Sequence, residues 1–158
     1  MTQREFPANP LVGVGAVIFD NHGRALLIQR GTEPHKGRWS IPGGLVELGE
    51  PILDALRREL KEETGLSVEP KAVVEVVDRI YTEEDVAESD GKDKRIRYHY
   101  VVIDYWCRVL GGDPKSDSDA AAIAWADASQ WQTMYALEPI TIDVLTKGWA
   151  MAQNGKDL

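Results

Sequence analysis

The amino-acid sequence predicts an α/β fold, in which a central mixed sheet carries one helix on each face. Two observations predict it. Segments rich in β-branched and aromatic residues recur along the chain, and two segments with helical start and stop signals lie among them. Such an order of elements is typical of a layered sheet with helices on both faces. The chain has 158 residues, a length that favours one domain over residues 1–158.

The first predicted elements are two strands joined by a tight turn. They have the sequences LVGVGAVIFD and RALLIQR, and the turn between them contains Asn21 and Gly23. Two longer strands are predicted over KAVVEVVDRIY and RIRYHYVVIDYWCRVL, because β-branched and aromatic residues dominate both segments. AIAWADA is predicted to be a short buried strand, and the stretch GTEPHKGRWSIPGG, with its glycines and prolines, a loop.

Two helices are predicted from their start and stop signals. The first covers Glu50–Thr64, because Pro51 suits the first turn of a helix and Gly65 suits its end. The second covers Ile140–Ala152 and follows Pro139. Between them, the acidic segment TEEDVAESDGKDK is typical of a solvated hairpin tip, and a mobile flap over a substrate is the alternative.

The composition argues against several classes of protein. Eighteen basic residues against 26 acidic ones give a net charge of −8, whereas generic nucleic-acid binding relies on a basic surface. No apolar run reaches the roughly 18 residues that a membrane helix needs. The segment MTQREFPANP lacks the apolar core of a signal peptide, so we expect a cytoplasmic protein. Cys107 is the only cysteine, which excludes an intrachain disulfide, and we expect it to be a small core residue.

Three glutamates share one face of the first predicted helix. Glu59, Glu62 and Glu63 stand at positions i, i+3 and i+4. Their mutual repulsion needs compensation, which a hard divalent cation with oxygen ligands would supply. The apolar stripe of the same helix consists of Leu53, Leu56 and Leu60. It lies about a quarter turn from the acids, so the helix would hold them at the rim of the core. A solvated acidic face paired with neighbouring basic side chains is the alternative.

The spacing of these acids within the segment GLVELGEPILDALRRELKEETGL is specific. The segment resembles the Nudix box, whose pattern is G-x5-E-x7-R-E-U-x-E-E-x-G-U, with U a bulky aliphatic residue. All nine constrained positions match, and they are Gly44, Glu50, Arg58, Glu59, Leu60, Glu62, Glu63, Gly65 and Leu66. A chance match in a chain of this length is on the order of one in ten million. The family fold is an α/β/α sandwich with a central mixed sheet, in agreement with the predicted elements.

The resemblance implies roles for the residues of the box. In this family the acids matching Glu59, Glu62 and Glu63 bind Mg²⁺ or Mn²⁺, and the backbone carbonyl matching Gly44 often adds a ligand. The arginine matching Arg58 orients the catalytic carboxylates by ion pairing. Glu59 and Glu62 are both candidates for the general base and for a metal ligand, and the sequence does not separate the two roles.

A further acid beyond the box often completes the site in this family. Asp117 and Asp119 are candidates within SDSDAAAIAW, and Glu83 and Glu84 are candidates within the acidic segment. Relatives often carry a glutamate shortly before the tryptophan matching Trp125, where this chain has three alanines. Ordinary surface acids are the alternative interpretation of all four residues.

Several arginines and aromatic residues are candidates to bind substrate. Arg30, Arg38 and Arg79 are the first candidates to bind phosphate, and Arg95 and Arg97 are further ones, with a solvated surface position as the alternative for each. The aromatic candidates for stacking on a base are Trp39, Tyr81, Tyr98 and Tyr100. Packing in the core is the alternative for these aromatic side chains.

The resemblance implies a Mg²⁺- or Mn²⁺-dependent hydrolase of a nucleoside diphosphate linked to another moiety. ADP-ribose is the favoured substrate, because GRWSIPGGLVELGE, VEVVDRIY and RYHYVVIDYWC resemble bacterial Nudix proteins described as ADP-ribose pyrophosphatase-like. The alternative is a nucleoside triphosphate pyrophosphohydrolase that clears damaged nucleotides or dihydroneopterin triphosphate. A non-catalytic Nudix ligand sensor is less favoured, because sensors usually have a degraded box and this one is intact. We also expect a homodimer, since two-fold dimers are the commonest oligomers and many relatives are dimeric.

Overall fold

The computed structural model describes residues 3–33, 35–83, 95–114 and 120–155. The strands in this part of the chain are β1 (Leu11–Ile18), β2 (Ala25–Arg30), β3 (Trp39–Ser40), β4 (Gly43–Leu45), β5 (Ser67–Thr82), β6 (Ile96–Gly111) and β7 (Ala120–Ala126). The helices are α1 (Ile52–Thr64), α2 (Ala128–Thr133) and α3 (Pro139–Asn154). None of the helices in these residues is long and apolar enough to cross a membrane.

The strands form a mixed arrangement that is divided into two sheets. Four strands lie in the order β4-β1-β6-β5, and three lie in the order β3-β2-β7. β1 and β6 run parallel, from the pair Leu11 and Tyr100 to the pair Ile18 and Cys107. The other strand pairs are antiparallel. The predicted α/β fold with a mixed sheet is therefore confirmed.

The first two strands do not form the continuous hairpin that the sequence suggests. The predicted tight turn is present, and a single bridge between Phe19 and Ala25 closes it. Beyond that bridge, β1 pairs with β4 on one edge and with β6 on the other. Because both edges of β1 are taken, β2 pairs with β3 and β7 in the second sheet.

The alternating side chains of β1 separate two hydrophobic cores. Val17 packs in a core with Val144 and Leu145 of α3. Val14 and Ile18 point the other way and pack in a core with α1. Alternation of side chains across a strand explains this division. The sheets thus carry one helix on each side, as predicted.

The helix that carries the three glutamates begins two residues later than predicted. Pro51 is extended and occupies the N-cap position, so α1 starts at Ile52. Leu56 and Leu60 are fully buried, but Leu53 is 38% exposed, so the predicted apolar stripe is wrong at its first residue. Near that end of the helix, Ile52 packs against the core instead.

Three short elements were not predicted. β3 lies inside the segment predicted to be a loop and β4 at its end, and both strands are too short for periodicity to reveal. β4 pairs with β1, with Gly44 opposite Val14, and this pairing brings the start of the box to the sheet. α2 begins at a capping box, in which Asp127 accepts a hydrogen bond from the backbone of Gln130 and the Gln130 side chain accepts one from the backbone of Asp127.

Candidate active site

Two carboxylates of α1 lie directly against the glycines of β4. The backbone N–H of Gly43 donates to Oε1 of Glu63 over 3.0 Å. A Cβ atom at Gly44 would collide with the carboxylate of Glu59. The opening glycine of the box is therefore required for close approach, because any side chain there would displace Glu59.

Arg58 links three acids of the box through its guanidinium group. Its Nε and Nη2 atoms donate to the two carboxylate oxygens of Glu50, over 2.7 Å and 2.8 Å. Nη1 donates to Glu59 over 2.9 Å and to Glu62 over 3.3 Å. Nη2 also reaches the carbonyl of Leu45, over 3.1 Å. Arg58 thus holds Glu59 and Glu62 in place, while Glu50 fixes the orientation of the guanidinium group.

These contacts separate the acids electrostatically. The two hydrogen bonds from Arg58, together with one from the backbone of Glu47, lower the pKa of Glu50 to about 2. Burial raises the pKa of Glu59 above its usual value, although the hydrogen bond and positive charge of Arg58 act in the opposite direction. Glu62 is more exposed, with 54% of its side chain accessible. The box therefore combines a firmly ionised acid, a partly desolvated one and an exposed one.

The donor chemistry of these residues fits a hard divalent cation. The side chains of Glu59, Glu62 and Glu63 and the carbonyl of Gly44 supply oxygen ligands alone, which Mg²⁺ and Mn²⁺ prefer. In the described conformation Arg58 binds Glu59 and Glu62, and the N–H of Gly43 binds Glu63. Among the described residues, no three acidic, histidine or cysteine side chains converge closely enough to hold an ion in this conformation.

A pocket opens beside Gly44, Glu59 and Glu63. Its charged and aromatic wall also includes Arg4, Arg30, His35, Arg38, Trp39, Arg79, Tyr81, Tyr100, Asp104 and Glu138. The structure therefore brings all three of the first phosphate candidates to the same pocket as two acids of the box. Arg58 and Glu62 do not line the pocket, but Arg58 donates hydrogen bonds to two residues that do, Glu59 and Leu45.

Glu138 organises the basic side of the pocket, and the sequence analysis missed it. Its carboxylate accepts hydrogen bonds from Arg38 over 3.2 Å, from Arg79 over 2.9 Å and from Tyr81 over 3.4 Å. Arg79 also donates to Thr141 Oγ1 over 3.2 Å. Glu138 immediately precedes α3, far in sequence from its partners, so no local pattern could have identified it.

Other candidate residues lie elsewhere. Arg95 stacks on the ring of Phe6, with 3.9 Å between its Cζ atom and the ring centroid, and Arg97 forms an ion pair with Glu5 over 3.4 Å. Neither arginine lines the pocket, so their prediction as phosphate ligands is not supported by position. Tyr98 is buried and stacks against a neighbouring tyrosine.

Only one of the four candidates for a downstream acid lies in the described part of the chain. Glu83 pairs through its backbone with Arg95 and does not line the pocket. Glu84, Asp117 and Asp119 lie outside the described residues. The identity of any such acid therefore stays a prediction.

Asp104 is a second pocket residue that the sequence analysis missed. It stands in the middle of β6, is 1% exposed and lines the pocket. Burial raises the pKa of its carboxyl to about 6, although the positive charge of Arg79 opposes the shift. A shift of this size means that the fold disfavours the charged form by about 3 kcal/mol. The available signal was a lone acid inside the apolar run YVVIDYWC.

Comparison with known proteins gives consistent matches to one family. The model of the NUDIX domain matches residues 9–145. An ADP-ribose pyrophosphatase of Methanocaldococcus jannaschii is 34% identical over 119 residues, which cover 75% of this chain and 63% of that protein. A human 8-oxo-dGDP phosphatase is 42% identical over 64 residues, 40% of this chain and 20% of that protein. The chain thus spans less than two thirds of the length of either relative.

A solved structure gives the same result for the fold. The crystal structure of a MutT NUDIX hydrolase from Burkholderia pseudomallei superposes with a TM-score of 0.71 and is 30% identical in sequence. The match covers 88% of this chain and 98% of that one. The two chains therefore share the fold over almost the whole of the bacterial protein.

Proposed function

We propose, because this chain belongs to the NUDIX family, that it is a metal-dependent pyrophosphohydrolase that cleaves a diphosphate bond in a nucleoside diphosphate linked to a second moiety. One observation carries the proposal. Glu59 and Glu63 lie against the glycines of β4, and all of these residues line a pocket that arginines also line. Carboxylates suited to a cation and guanidinium groups suited to phosphate then lie around the same space.

The proposed chemistry assigns separate tasks to the residues of the box. A bound Mg²⁺ or Mn²⁺ would neutralise phosphate oxygens and lower the pKa of a water molecule. Glu59, Glu62 and Glu63 would hold the ion, and Glu59 or Glu62 would accept the proton of the attacking water. Glu59 is the better placed of these two, because it lines the pocket and Glu62 does not. Arg58 would keep both carboxylates oriented through its hydrogen bonds.

ADP-ribose, or a similar nucleoside diphosphate derivative, is the substrate that we favour. The archaeal relative named as an ADP-ribose pyrophosphatase supports this choice. Arg30, Arg38 and Arg79 line the same pocket, which suits a substrate with two phosphate groups. The expected products are AMP and a phosphorylated remainder.

The second candidate is a pyrophosphohydrolase of nucleoside triphosphates, damaged ones included. The human relative named as an 8-oxo-dGDP phosphatase supports the damaged base of this candidate, although the nucleotide in that name is a diphosphate. Both candidates use the same residues of the box. A ligand sensor without catalysis is the least favoured candidate, since every constrained position of the box is intact.

Substrate profiling separates the first two candidates. We expect kcat/KM for ADP-ribose to exceed that for every nucleoside triphosphate by about tenfold or more, since a pocket that pairs polar groups with one substrate discriminates against others. The measurement is an assay of ADP-ribose, dinucleoside polyphosphates, dGTP and 8-oxo-dGTP with Mg²⁺ and with Mn²⁺. A tenfold preference for 8-oxo-dGTP would replace the first candidate with the second.

We further propose that residues 1–158 act as one domain in the cytoplasm and that the protein is a homodimer. β5 is an edge strand of its sheet, and it exposes Val73, Val76 and Ile80 by 47%, 54% and 49%. An apolar edge strand favours pairing with a second chain. Light scattering at micromolar concentration should therefore give about twice the chain mass of 17.6 kDa. A mass near that of one chain would contradict the dimer.

A further inference from the structure

Asp104 is an acidic residue on an otherwise apolar and aromatic face of β6, at the point where the pocket meets the core. On β6 the alternate residues Tyr100, Val102, Asp104 and Trp106 share one face of the strand. Tyr100 and Val102 line the pocket, and Trp106 belongs to the core that packs on α3. Asp104 is thus the innermost pocket residue of this strand, at a position where an apolar side chain would continue the core.

The Asp104 carboxyl is buried and has no partner in the described part of the chain. Neither of its oxygens forms a hydrogen bond with the described residues, and the residue is 1% exposed. The strand beside it leaves room for the carboxyl, because a Cβ atom at Gly15 would collide with Asp104 Oδ1. Buried polar groups are nearly always hydrogen-bonded in proteins, so an orphaned carboxyl in a pocket wall indicates a missing donor.

Arg79, the positive group whose charge acts on Asp104, donates its hydrogen bonds to other residues. Arg79 is close enough to lower the pKa of the carboxyl, but its Nη1 and Nη2 atoms donate to Glu138 and Thr141. A phosphate group is excluded as the ligand of Asp104, because two anions would repel each other in a site of low dielectric. A neutral hydrogen-bond donor of the substrate would satisfy this carboxyl.

We propose that Asp104 is a specificity-determining residue that accepts a hydrogen bond from an N–H group of the nucleobase. The proposal rests on the proposed function, since it takes the pocket to be the nucleotide site. The surrounding wall suits a flat base, because it contains Trp39, Tyr81, Tyr100 and Val102. One acceptor in a mainly apolar and aromatic wall is the arrangement by which pockets orient a ligand.

Binding of nucleoside monophosphates tests this role without requiring hydrolysis. Two pairs of ligands differ by one amino group each: AMP against purine riboside 5′-monophosphate, and GMP against IMP. Calorimetric titration in Mg²⁺ should show that the wild type binds the amino-bearing member of at least one pair about tenfold more tightly, because its absence leaves Asp104 unpaired. In Asp104→Asn the amide oxygen still accepts a hydrogen bond but carries no charge, so the preference should fall to about threefold or less. Asp78→Asn is the matched control, because Asp78 lies exposed on the neighbouring strand β5 and does not line the pocket.

Thermal unfolding separates this role from a structural one. The pKa of Asp104 is raised from 3.8 to about 6 in the fold, so the residue begins to cost stability as the pH rises above the unfolded value, and the cost is complete above the folded value. Asp104→Asn should therefore unfold at a higher temperature than the wild type at pH 8, and the difference should disappear as the pH falls toward 4. A variant that is more stable and also less selective supports the proposal. The opposite result is a variant that is less stable at pH 8 and binds all four nucleotides equally weakly. It would assign Asp104 a structural role and overturn the proposal.

The remaining outcomes also decide the matter. An unchanged preference in Asp104→Asn overturns the proposal, as does a wild type that binds neither member of either pair or distinguishes neither pair. The titrations also compare AMP with 2′-deoxy-AMP, which lacks one ribose hydroxyl. If the variant loses the preference for AMP over 2′-deoxy-AMP instead, the donor is that hydroxyl and the assignment to the base is wrong. The titrations involve no catalysis, so they are independent of the proposed function. A wild type that hydrolyses none of the nucleotides in the substrate panel would contradict the proposed function. The binding result for Asp104 would still stand on its own.

Discussion

Replacing Glu62 by glutamine should lower kcat by about a hundredfold or more, because it removes a negative charge proposed to hold the cation or accept the proton of water. Glu62 is the informative position, since its side chain is 54% exposed and its hydrogen bond to Arg58 is at the surface of the protein. The substitution therefore leaves the packing of α1 unchanged. The same change at Glu59 would also weaken a partly buried hydrogen bond to Arg58, so a loss of activity there would be harder to interpret.

The same helix offers a matched control for this variant. Asp54 is exposed in the first turn of α1, where it pairs with Arg57 over 3.5 Å. Asp54→Asn makes the same carboxylate-to-amide change outside the box and should retain near-normal kcat. Steady-state assays of both variants, with unfolding temperatures close to that of the wild type, complete the test. Near-normal activity in Glu62→Gln would show that Glu62 neither holds the cation nor accepts the proton of water.

Removal of divalent metal should abolish hydrolysis, and Mg²⁺ or Mn²⁺ should restore it, whereas Zn²⁺ alone should do so poorly. The reason is the proposed donor set of Glu59, Glu62, Glu63 and the Gly44 carbonyl, which contains oxygen alone and would therefore suit hard cations. The measurement is the rate of hydrolysis after treatment with EDTA and dialysis, followed by titration with each ion. Full activity in the metal-stripped protein would refute the assignment.

A binding experiment keeps the metal prediction independent of catalysis. Calorimetry with Mn²⁺ should detect binding to the wild type and about tenfold weaker binding to Glu62→Gln, because the variant lacks one charged ligand. Asp54→Asn should bind the ion as the wild type does. Equal binding by all three proteins would exclude Glu62 as a ligand of the cation.

The local elements and the box were predictable because short-range signals determine them. The end of α1 at Gly65 follows from the sequence alone, and the boundaries of β2, β5, β6 and α3 follow to within a few residues. The one-face spacing of Glu59, Glu62 and Glu63 follows from helical periodicity. The family itself follows from the same segment, since its constrained positions all lie within one loop and one helix.

Tertiary structure decided which of these residues meet and what lies opposite them. Pairing of β4 with β1 places the glycines against Glu59 and Glu63, and leaves Glu62 outside the pocket. Three elements distant in sequence bring Arg38, Arg79 and Glu138 into contact. Such contacts depend on strand order and helix packing, which local propensity does not encode.

The sequence by itself therefore determined the family, the α/β class and the chemical character of the box, because each depends on spacing within a short segment. Only the tertiary structure showed the division into two sheets, since pairing of β1 along both edges is a long-range event. Only the tertiary structure revealed Asp104 as a pocket residue, because the burial of a strand carboxyl depends on the neighbouring strands and on the absence of a side chain at Gly15. Substrate selectivity depends on such surroundings, and for that reason the box alone leaves the substrate open.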